Sequence, residues 1–417
     1  DKQLLLQDMQ MTGNLDGQGI TGKLQARLAL DLSAPETQLL RIQDLSLKDI
    51  EYSNNEGTLV AVGGQLSFKG QFRLAEESIA LDLGGRASLD EALAGSWYGN
   101  LRGLPLAFTV RGHWLHKEKS LQLGRADIDL AGLANSELVG RLSARTADVN
   151  GRLALPQLSG RFLETLHRLG GELAPRLKKV NLAGALNVQA RIAWKEHGWR
   201  LDADLQPERL AAEFNQALTL SGLNGNLPIV LQSGALPETV ATQHTGHLSW
   251  DGLSAPLIPT ASGKLEFLAG VNSWRTTRPL EIAVAGGRAR LSTLQVSWQD
   301  FIPQGEAALS ITDVDLSRGS QTFDWPELDG LLSATLDGIR FSEEEITSSG
   351  EASAQAFGGT LRLQNLKVIK PLSRYPTYHA DIDFRDIDLH ALTHTFAFGE
   401  INGVASGHVH KLRLFDG

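Results

Sequence analysis

The stretch Leu24-Gln25-Ala26-Arg27-Leu28-Ala29-Leu30-Asp31-Leu32 carries an aliphatic residue at every even position. A period of two places every second side chain on the same face of a β-strand. The same alternation recurs almost to the end of the 417-residue chain. The sequence therefore predicts an all-β protein whose long sheet has one apolar face.

The residues between the aliphatic positions are mostly polar. Residues 186–194 alternate in this way, and residues 199–205 do so again after a short connection at His197-Gly198. Such a connection is typical of a hairpin, and strands with a single apolar face suit antiparallel sheets, in which the other face is solvated. We therefore predict an elongated, twisted, mostly antiparallel sheet that is curled upon itself, with a few short helices.

Helical periodicity is confined to three short segments. Apolar residues recur at helical spacing between Pro156 and Val180, between Pro207 and Leu218, and between Leu389 and Phe398. That spacing forms one apolar face on a helix. We expect these segments to cap the sheet, because they are too few to wrap it as the helices of α/β folds do.

The predicted organisation is a β-groove segment at 1–155, a helical insertion at 156–180 and a second β-groove segment at 181–417. An equally acceptable description is one continuous domain. Short strands and glycine turns recur throughout the sequence, but no repeat of fixed length is expected. Propellers and leucine-rich arrays, which have such repeats, are therefore disfavoured.

Composition excludes several classes of function. The 39 basic and 48 acidic residues are interspersed, with a formal net charge of −9, and there is no basic stripe with interleaved aromatic residues for nucleic acid. The chain has no cysteine, which rules out disulfides, thiol catalysis and cysteine metal sites. No apolar run reaches the ~18 residues of a membrane span. Since the chain starts at Asp1 without Met, we expect a segment of a longer protein.

Three groups of candidate chemical motifs are better explained without chemistry. Gly17 to Gly22 matches G-x-G-x-x-G, but a strand rather than a helix is predicted after it, so a glycine turn is the better interpretation. The histidine pairs lack a third or fourth ligand, and the acidic pairs at i,i+2 spacing fit a solvated strand face. We therefore expect no catalytic site, cofactor or metal. The histidine pairs are His113/His116, His244/His247, His390/His394 and His408/His410.

The C-terminal region carries a family resemblance. Residues 352–363, Ala-Ser-Ala-Gln-Ala-Phe-Gly-Gly-Thr-Leu-Arg-Leu, resemble the A-x-x-F-G-G-x-L pattern of the AsmA-like bacterial envelope proteins, the group that includes TamB, YhdP and YdbH. Asp386-Ile387-Asp388-Leu389 and residues 398–407 resemble the closing D-L…F-G-x-I-x-G-x-x-x-G segment of the same group. The resemblance covers 352–417. The rest of the chain shares with the family only the alternating strands and the glycine turns.

The resemblance implies a Gram-negative periplasmic protein that is anchored in the inner membrane and moves phospholipids to or from the outer membrane. It also implies that the all-β sheet curls into an open groove, like a β-taco. The membrane anchor and the outer-membrane partner are expected outside this segment. Acyl chains are the expected partner of the apolar face, and nucleic acid is not. Aliphatic residues expected to line the groove are Leu24, Ala26, Leu28, Leu30, Leu186, Val188, Ile192, Leu280, Ile282, Val284, Leu361 and Leu363.

Two other functions are compatible with the pattern. A structural or adhesive scaffold would seal the apolar face against more protein, as a sandwich or solenoid does. A polysaccharide-acting β protein would stack aromatic residues along a cleft, whereas the eight tryptophans are scattered along the chain. A large exposed apolar face needs a ligand or a partner, and this favours the lipid groove.

Overall fold

A computed structural model gives the fold. It describes residues 2–15, 18–31, 38–54, 56–94, 97–158, 161–169, 180–195, 198–214, 218–234, 243–255, 257–299, 302–322, 326–371, 376–397 and 399–415. By contacts, the chain divides into a first unit, Asp1–Phe214 with Leu231–Thr239, and a second unit, Asn215–Val230 with Val240–Gly417. Among the described residues, no helix is both long and apolar enough to span a membrane.

The first unit is an antiparallel sheet. Its strands pair in the order β1-β2-β3-β4-β5-β8-β9-β10-β11-β12-β13, and the hairpin β6-β7 extends from β4. The elements are β1 Lys2–Leu15, β2 Gln18–Asp31, β3 Gln38–Ser53, β4 Leu59–Leu74, β5 Ser78–Ser88, β6 Glu91–Ala94, β7 Trp97–Asn100, β8 Leu106–Leu115, β9 Ser120–Leu130, β10 Ala134–Ser143, β11 Thr146–Leu155, α1 Arg161–Leu169, β12 Val180–Lys195 and β13 Gly198–Phe214.

The second unit is also antiparallel. Its strands pair from β14 through β25 in sequence order, except that β17 and β18 both pair with β19. The last four residues of β14 belong to the first unit. The elements are β14 Leu218–Gly234, β15 His244–Ala255, β16 Ile258–Gly270, β17 Ser273–Thr276, β18 Leu280–Val284, β19 Gly287–Gln299, β20 Ile302–Asp315, α2 Leu316–Thr322, β21 Gly330–Phe341, β22 Glu345–Ala356, β23 Gly359–Ile369, β24 Thr377–Asp388, α3 Leu389–Thr395 and β25 Val404–Phe415.

These pairings confirm the predicted fold class: the protein is all-β, with an open antiparallel sheet and a few short helices. Within the described residues of each unit, the first and last strands of the pairing order do not pair with each other. The chain therefore does not close the sheet within a unit.

The prediction of a helix from Pro207 to Leu218 is wrong. Pro207 lies in β13 opposite Leu186, and Leu218 begins β14. The four-residue spacing from Leu210 to Phe214 also fits a strand, because an even spacing keeps both residues on one face, and residues 211–214 of β13 pair regularly with β12. Proline is compatible with a strand where its missing N–H is not needed.

The other two predicted helices are present in shorter form. Helix α1 begins at Arg161, and Val180 already belongs to β12; residues 159–160 and 170–179 lie outside the described part. The segment predicted from Leu389 forms α3, whose N-cap Asp388 accepts hydrogen bonds from the amides of His390 and Ala391. A capping carboxylate at this position satisfies amides that have no partner within the helix.

Irregular strand pairing keeps the apolar side chains on one face where the alternation slips by one residue. On β3, Leu47 and Ile50 lie on the same face although they are three residues apart in the sequence. Asp49, between them, has φ 53°. Asp313, Asn365, Asp386 and Lys411 occupy matching slips, with φ between 52° and 55°. Extra residues of this kind are β-bulges, and Asp and Asn tolerate the left-handed region better than most residues. Slips in the alternation therefore mark the bulges.

The carboxylate of Asp381 ties together two of these bulges. Asn365 Nδ2 on β23 and the Lys411 amide on β25 each donate to it at 2.7 Å. The hydrogen bond from the Lys411 amide, followed by that from Asn365, holds the pKa of Asp381 below its usual value. A carboxylate on the strand between them thus binds the side chain of one bulge residue and the backbone of the other.

The second unit contains a repeat that the sequence analysis missed. Residues 313–333 and 386–406 share the pattern Asp-[Val/Ile]-Asp-Leu-x₃-[Ser/Thr]-x-Thr-Phe-x-[Trp/Phe]-x-Glu-[Leu/Ile]-[Asp/Asn]-Gly-[Leu/Val]-x-Ser, at an offset of 386 − 313 = 73 residues. Gly286-Gly287 and Gly358-Gly359 precede them, at an offset of 358 − 286 = 72. The expectation that no repeat of fixed length exists is therefore wrong.

The two copies share a backbone hydrogen bond. The Asp315 amide donates to the carbonyl of Ala285 at 3.0 Å, and the Asp388 amide donates to that of Phe357 at 2.9 Å. In each copy the glycine pair thus forms the turn that meets the start of the short helix. Aliphatic alternation masked this repeat, because Leu, Val and Ile recur everywhere in the chain.

We expect the Asp381→Asn variant to be less stable than the wild type at neutral pH, because the amide nitrogen that replaces one oxygen cannot accept a hydrogen bond. A carboxyl whose folded-state pKa is lowered stabilises the fold above its unfolded value of about 3.9, and this contribution disappears as the pH falls through the folded-state value. The difference in unfolding free energy, measured by urea denaturation, should therefore shrink in acid.

Asp383→Asn is the matched control on the same strand, since no hydrogen bond to the Asp383 carboxylate is found among the described residues. Its unfolding free energy should stay close to that of the wild type throughout. An equal loss of stability in both variants at neutral pH would contradict the role given to Asp381.

Candidate functional site

The candidate site of the first unit is a row of side chains that crosses nine strands on one face. Each member lies opposite the next in the strand register, and we call this row the central file. It consists of Leu45, Phe68, Gly85, Phe108, Ile128, Ser136, Leu153, Val188 and Leu205. With strands about 4.8 Å apart, the file is about 40 Å long.

Parallel files flank the central file on the same face. One runs through Ile42, Gly70, Leu83, Val110, Ala126, Leu138, Gly151, Ala190 and Ala203. The next runs through Leu40, Phe72, Leu81, Gly112, Leu123, Gly140, Val149, Ile192 and Leu201. The apolar surface is therefore continuous both along and across the strands.

The register places the predicted residues of β2 and β12 in shared files. Ala26 is opposite Leu45, in the file that contains Val188. Leu28 and Leu30 are opposite Ile42 and Leu40, and Leu30 thereby enters the file of Ile192. Leu24 is opposite Leu47 and is half-buried, as is Leu186 on β12. The side chains of Ala26, Leu28 and Leu30 lie outside the described residues.

The apolar face is only partly covered within the described part of the chain. No member of the central file is fully buried, and Leu153 is 36% exposed. In the neighbouring file, Ile192 is 48% exposed. A packed core would bury such residues almost completely. The face therefore has apolar surface available to a ligand.

Aromatic rings fill the space above glycines on adjacent strands. A Cβ built on Gly85 would lie 2.6 Å from the Cβ of Phe68 and 2.9 Å from the ring of Phe108. In the second unit, a Cβ on Gly246 would lie 2.3 Å from the ring of Phe267. Pairing an aromatic residue with a glycine covers bare backbone. These pairs make the apolar face smooth where a side chain is missing.

The opposite face of the first unit carries ion pairs, some between neighbouring strands and some within one strand. Arg191 on β12 donates two hydrogen bonds to Asp148 on β11, at 2.9 and 2.8 Å, and these bonds lower the pKa of Asp148. Arg125 donates to Asp127 on the same strand at 2.8 Å and likewise lowers its pKa. Exposed pairs of this kind contribute little to stability because solvent screens them, so their main effect is to keep this face hydrated.

A cavity of about 1110 Å³ lies along the central file between Gly85 and Val188. Each of the other lining residues adjoins a member of the central file in the sequence. Because side chains alternate along a strand, these residues lie on the polar face. They include Lys69, Arg86, Thr109, Asp127, Asp129, Asn135, Glu137, Arg152, Asn187, Gln189 and Gln206. Of the predicted lining residues, Val188 alone is among the residues that the structure places around this cavity. The cavity is therefore distinct from the predicted groove.

The second unit has its own apolar file, which contains two predicted residues, Ile282 and Leu363. It runs through Ile282, Ala289, Ile311, Ala334, Ala352, Leu363, Ile382 and Val409. The alanines are buried, the larger side chains are half-buried, and Val409 is 41% exposed. Leu280, Val284 and Leu361 lie on β18 and β23 beside this file and are half-buried too.

The histidines do not assemble a metal site in the part of the chain that the structure describes. His390 and His394 share α3, with ring centroids 6.3 Å apart, and the rings of His408 and His410 on β25 are 4.7 Å apart. No group of three or more His, Cys, Asp or Glu residues suited to a metal ion is found among the described residues. The glycines Gly19 and Gly22 of the G-x-G-x-x-G motif lie in β2, so no helix follows them.

Two neighbouring glycines on β5 offer a matched test of the packing. Gly85→Ala should lose about 1–3 kcal/mol of unfolding free energy, because overpacking forces neighbours to move, and the added Cβ would lie 2.2 Å from the Ser67 carbonyl. Gly84→Ala should be neutral or slightly stabilising, since its nearest contact would be 3.6 Å, to Thr109. Urea denaturation measures both, and equal effects would contradict the packing described.

Comparison of the chain with protein-family models, with curated proteins and with solved structures found no match. The resemblance of residues 352–417 to the AsmA-like proteins therefore stays a prediction from motifs. What the chain does has to be inferred from the apolar files, the polar face opposite them and the repeat.

Proposed function

We propose that this chain is a periplasmic segment of an intermembrane lipid-transport protein. Its apolar face shields phospholipid acyl chains between the inner and outer membranes. The central file carries the proposal, because it is apolar over almost its whole length and only half-buried among the described residues. Contiguous exposed apolar surface marks binding sites for ligands, membranes or proteins.

The physical chemistry of the face suits acyl chains. Burial of each methylene contributes about 0.8 kcal/mol, and this gain has no preferred direction. The central file presents aliphatic and aromatic carbon, with Ser136 as its one hydroxyl. A tail is therefore held firmly, yet no directional bond has to break when it moves along the face. The proposal needs neither a catalytic step nor a cofactor.

The polar face suits the setting of such a protein. Its ion pairs, such as Arg191 with Asp148, keep that face hydrated, while head groups stay in water along the open side of the sheet. The AsmA-like motif near the C-terminus supports the assignment to the bacterial envelope. The inner-membrane anchor and the outer-membrane partner are expected elsewhere in the full protein.

The cavity on the polar face favours a second candidate, the binding of a hydrated glycan. Amide side chains line it, and Lys69, Arg86 and Arg152 make no ion pair with another described residue. Such groups suit hydroxyl and carboxylate oxygens. If purified protein binds acidic oligosaccharides but carries no lipid, this candidate replaces the first.

An Ile192→Asp variant tests the lipid proposal. The side chain is 48% exposed, so the fold should tolerate a carboxylate there. An unpaired charge against acyl chains costs ~2 kcal/mol or more, which corresponds to more than a tenfold loss of affinity. Lipid co-purifying with the protein, quantified by mass spectrometry, should fall accordingly.

Gln189→Asp is the matched control, since Gln189 lies on the same strand but alternates to the polar face and is exposed. It should retain the lipid content of the wild type. Circular dichroism should show that both variants keep their β structure. Equal lipid content in all three proteins, or none in any, would refute the proposal.

A further inference from the structure

The repeat of the second unit extends to the strand register. In the first copy, Leu280 on β18, Leu291 on β19, Leu309 on β20 and Leu336 on β21 lie opposite one another in turn. We call these four residues row 1. In the second copy, the row is Ala352, Leu363, Ile382 and Val409, on β22 to β25. We call these row 2. Each member of row 2 follows its counterpart by 72 or 73 residues (352 − 280 = 72; 409 − 336 = 73).

The end of each copy is also equivalent. In the first, the Leu328 amide donates to the hydroxyl of Ser320 in α2 at 3.2 Å; in the second, the Ile401 amide donates to that of Thr393 in α3 at 3.3 Å. Both hydroxyl residues are 1% exposed. Helix α2 follows β20, and helix α3 follows β24. Four antiparallel pairings separate these two strands, so the strands run in the same direction. Both helices therefore lie at the same edge of the sheet.

Each copy spans four strands, or about 19 Å across the sheet. That distance is comparable with the extended length of a common long acyl chain. Rows 1 and 2 are aliphatic at every position, and all members except the buried Ala352 keep some exposure. A lipid displaced by one copy therefore meets an equivalent apolar surface, bounded by an equivalent helix.

We propose that the four-strand repeat is the unit of lipid binding, and that each copy holds one phospholipid on its row. This inference rests on the proposed function and adds a substrate stoichiometry to it. Because the free energy of an apolar contact follows the buried area, equivalent rows give equivalent resting positions. A lipid then moves along the sheet in steps of one repeat.

Deletion of Gly286–Phe357 tests the inference, because it removes one copy and keeps the register. Ala285 then precedes Gly358, and Leu280 takes the place of Ala352 opposite Leu363. The protein is loaded from vesicles of palmitoyl-oleoyl phosphatidylethanolamine and weighed by native mass spectrometry. We expect one phospholipid fewer per chain than in the wild type. A folded deletion variant with the same number of lipids would overturn the inference.

Matched substitutions in the full chain provide a second measurement that does not depend on the deletion. Leu309→Glu and Ile382→Glu change equivalent positions of rows 1 and 2. Each should remove one lipid, and the double variant should remove two. If either single variant loses all lipid, or neither loses any, the repeats are not separate binding units. A wild type without any lipid would instead contradict the proposed function, and with it this inference.

Discussion

The whole structure depends on keeping the aliphatic side chains of successive strands on one face. A shift of one residue in a strand moves all of its side chains to the other face. In this chain the alternation slips at several points, and residues such as Asp49 and Asp313 take a left-handed conformation there. These bulges restore the phase, so largely apolar files cross nine strands of the first unit and eight strands of the second. Asp381 shows how closely they are controlled, since its carboxylate holds one bulge on each neighbouring strand.

A sheet with one apolar face must cover that face or use it. Here the described residues leave it half-exposed, while glycine–aromatic pairs such as Gly85 with Phe108 keep it smooth. The polar face is rich in ion pairs such as Arg191 with Asp148. A surface of this kind offers contact area without hydrogen-bonding groups that select one ligand pose. It therefore offers the kind of contact that the proposed acyl-chain ligand needs.

Much of the fold was predictable from the sequence, because a period of two is a strong local signal. The strands, the antiparallel pairing and the hairpin that joins Trp194 to Trp199 followed from it. Pro207 to Leu218 was misassigned because apolar residues four apart fit one face of a strand as well as one face of a helix. The repeat was missed because its distinctive residues, such as Asp315 and Asp388, are few among common aliphatic ones. Strand register and exposure depend on partners distant in sequence, so the files became visible only in the structure.

Site-specific photocrosslinking tests the central claim most directly. Photoreactive residues are placed at Leu153 on the central file and at Arg152, its neighbour directed to the polar face, and each protein is irradiated with palmitoyl-oleoyl phosphatidylethanolamine vesicles. The account predicts a covalent lipid adduct by mass spectrometry at position 153 and little or none at position 152. Equal labelling at the two positions, or an adduct only at position 152, would contradict it.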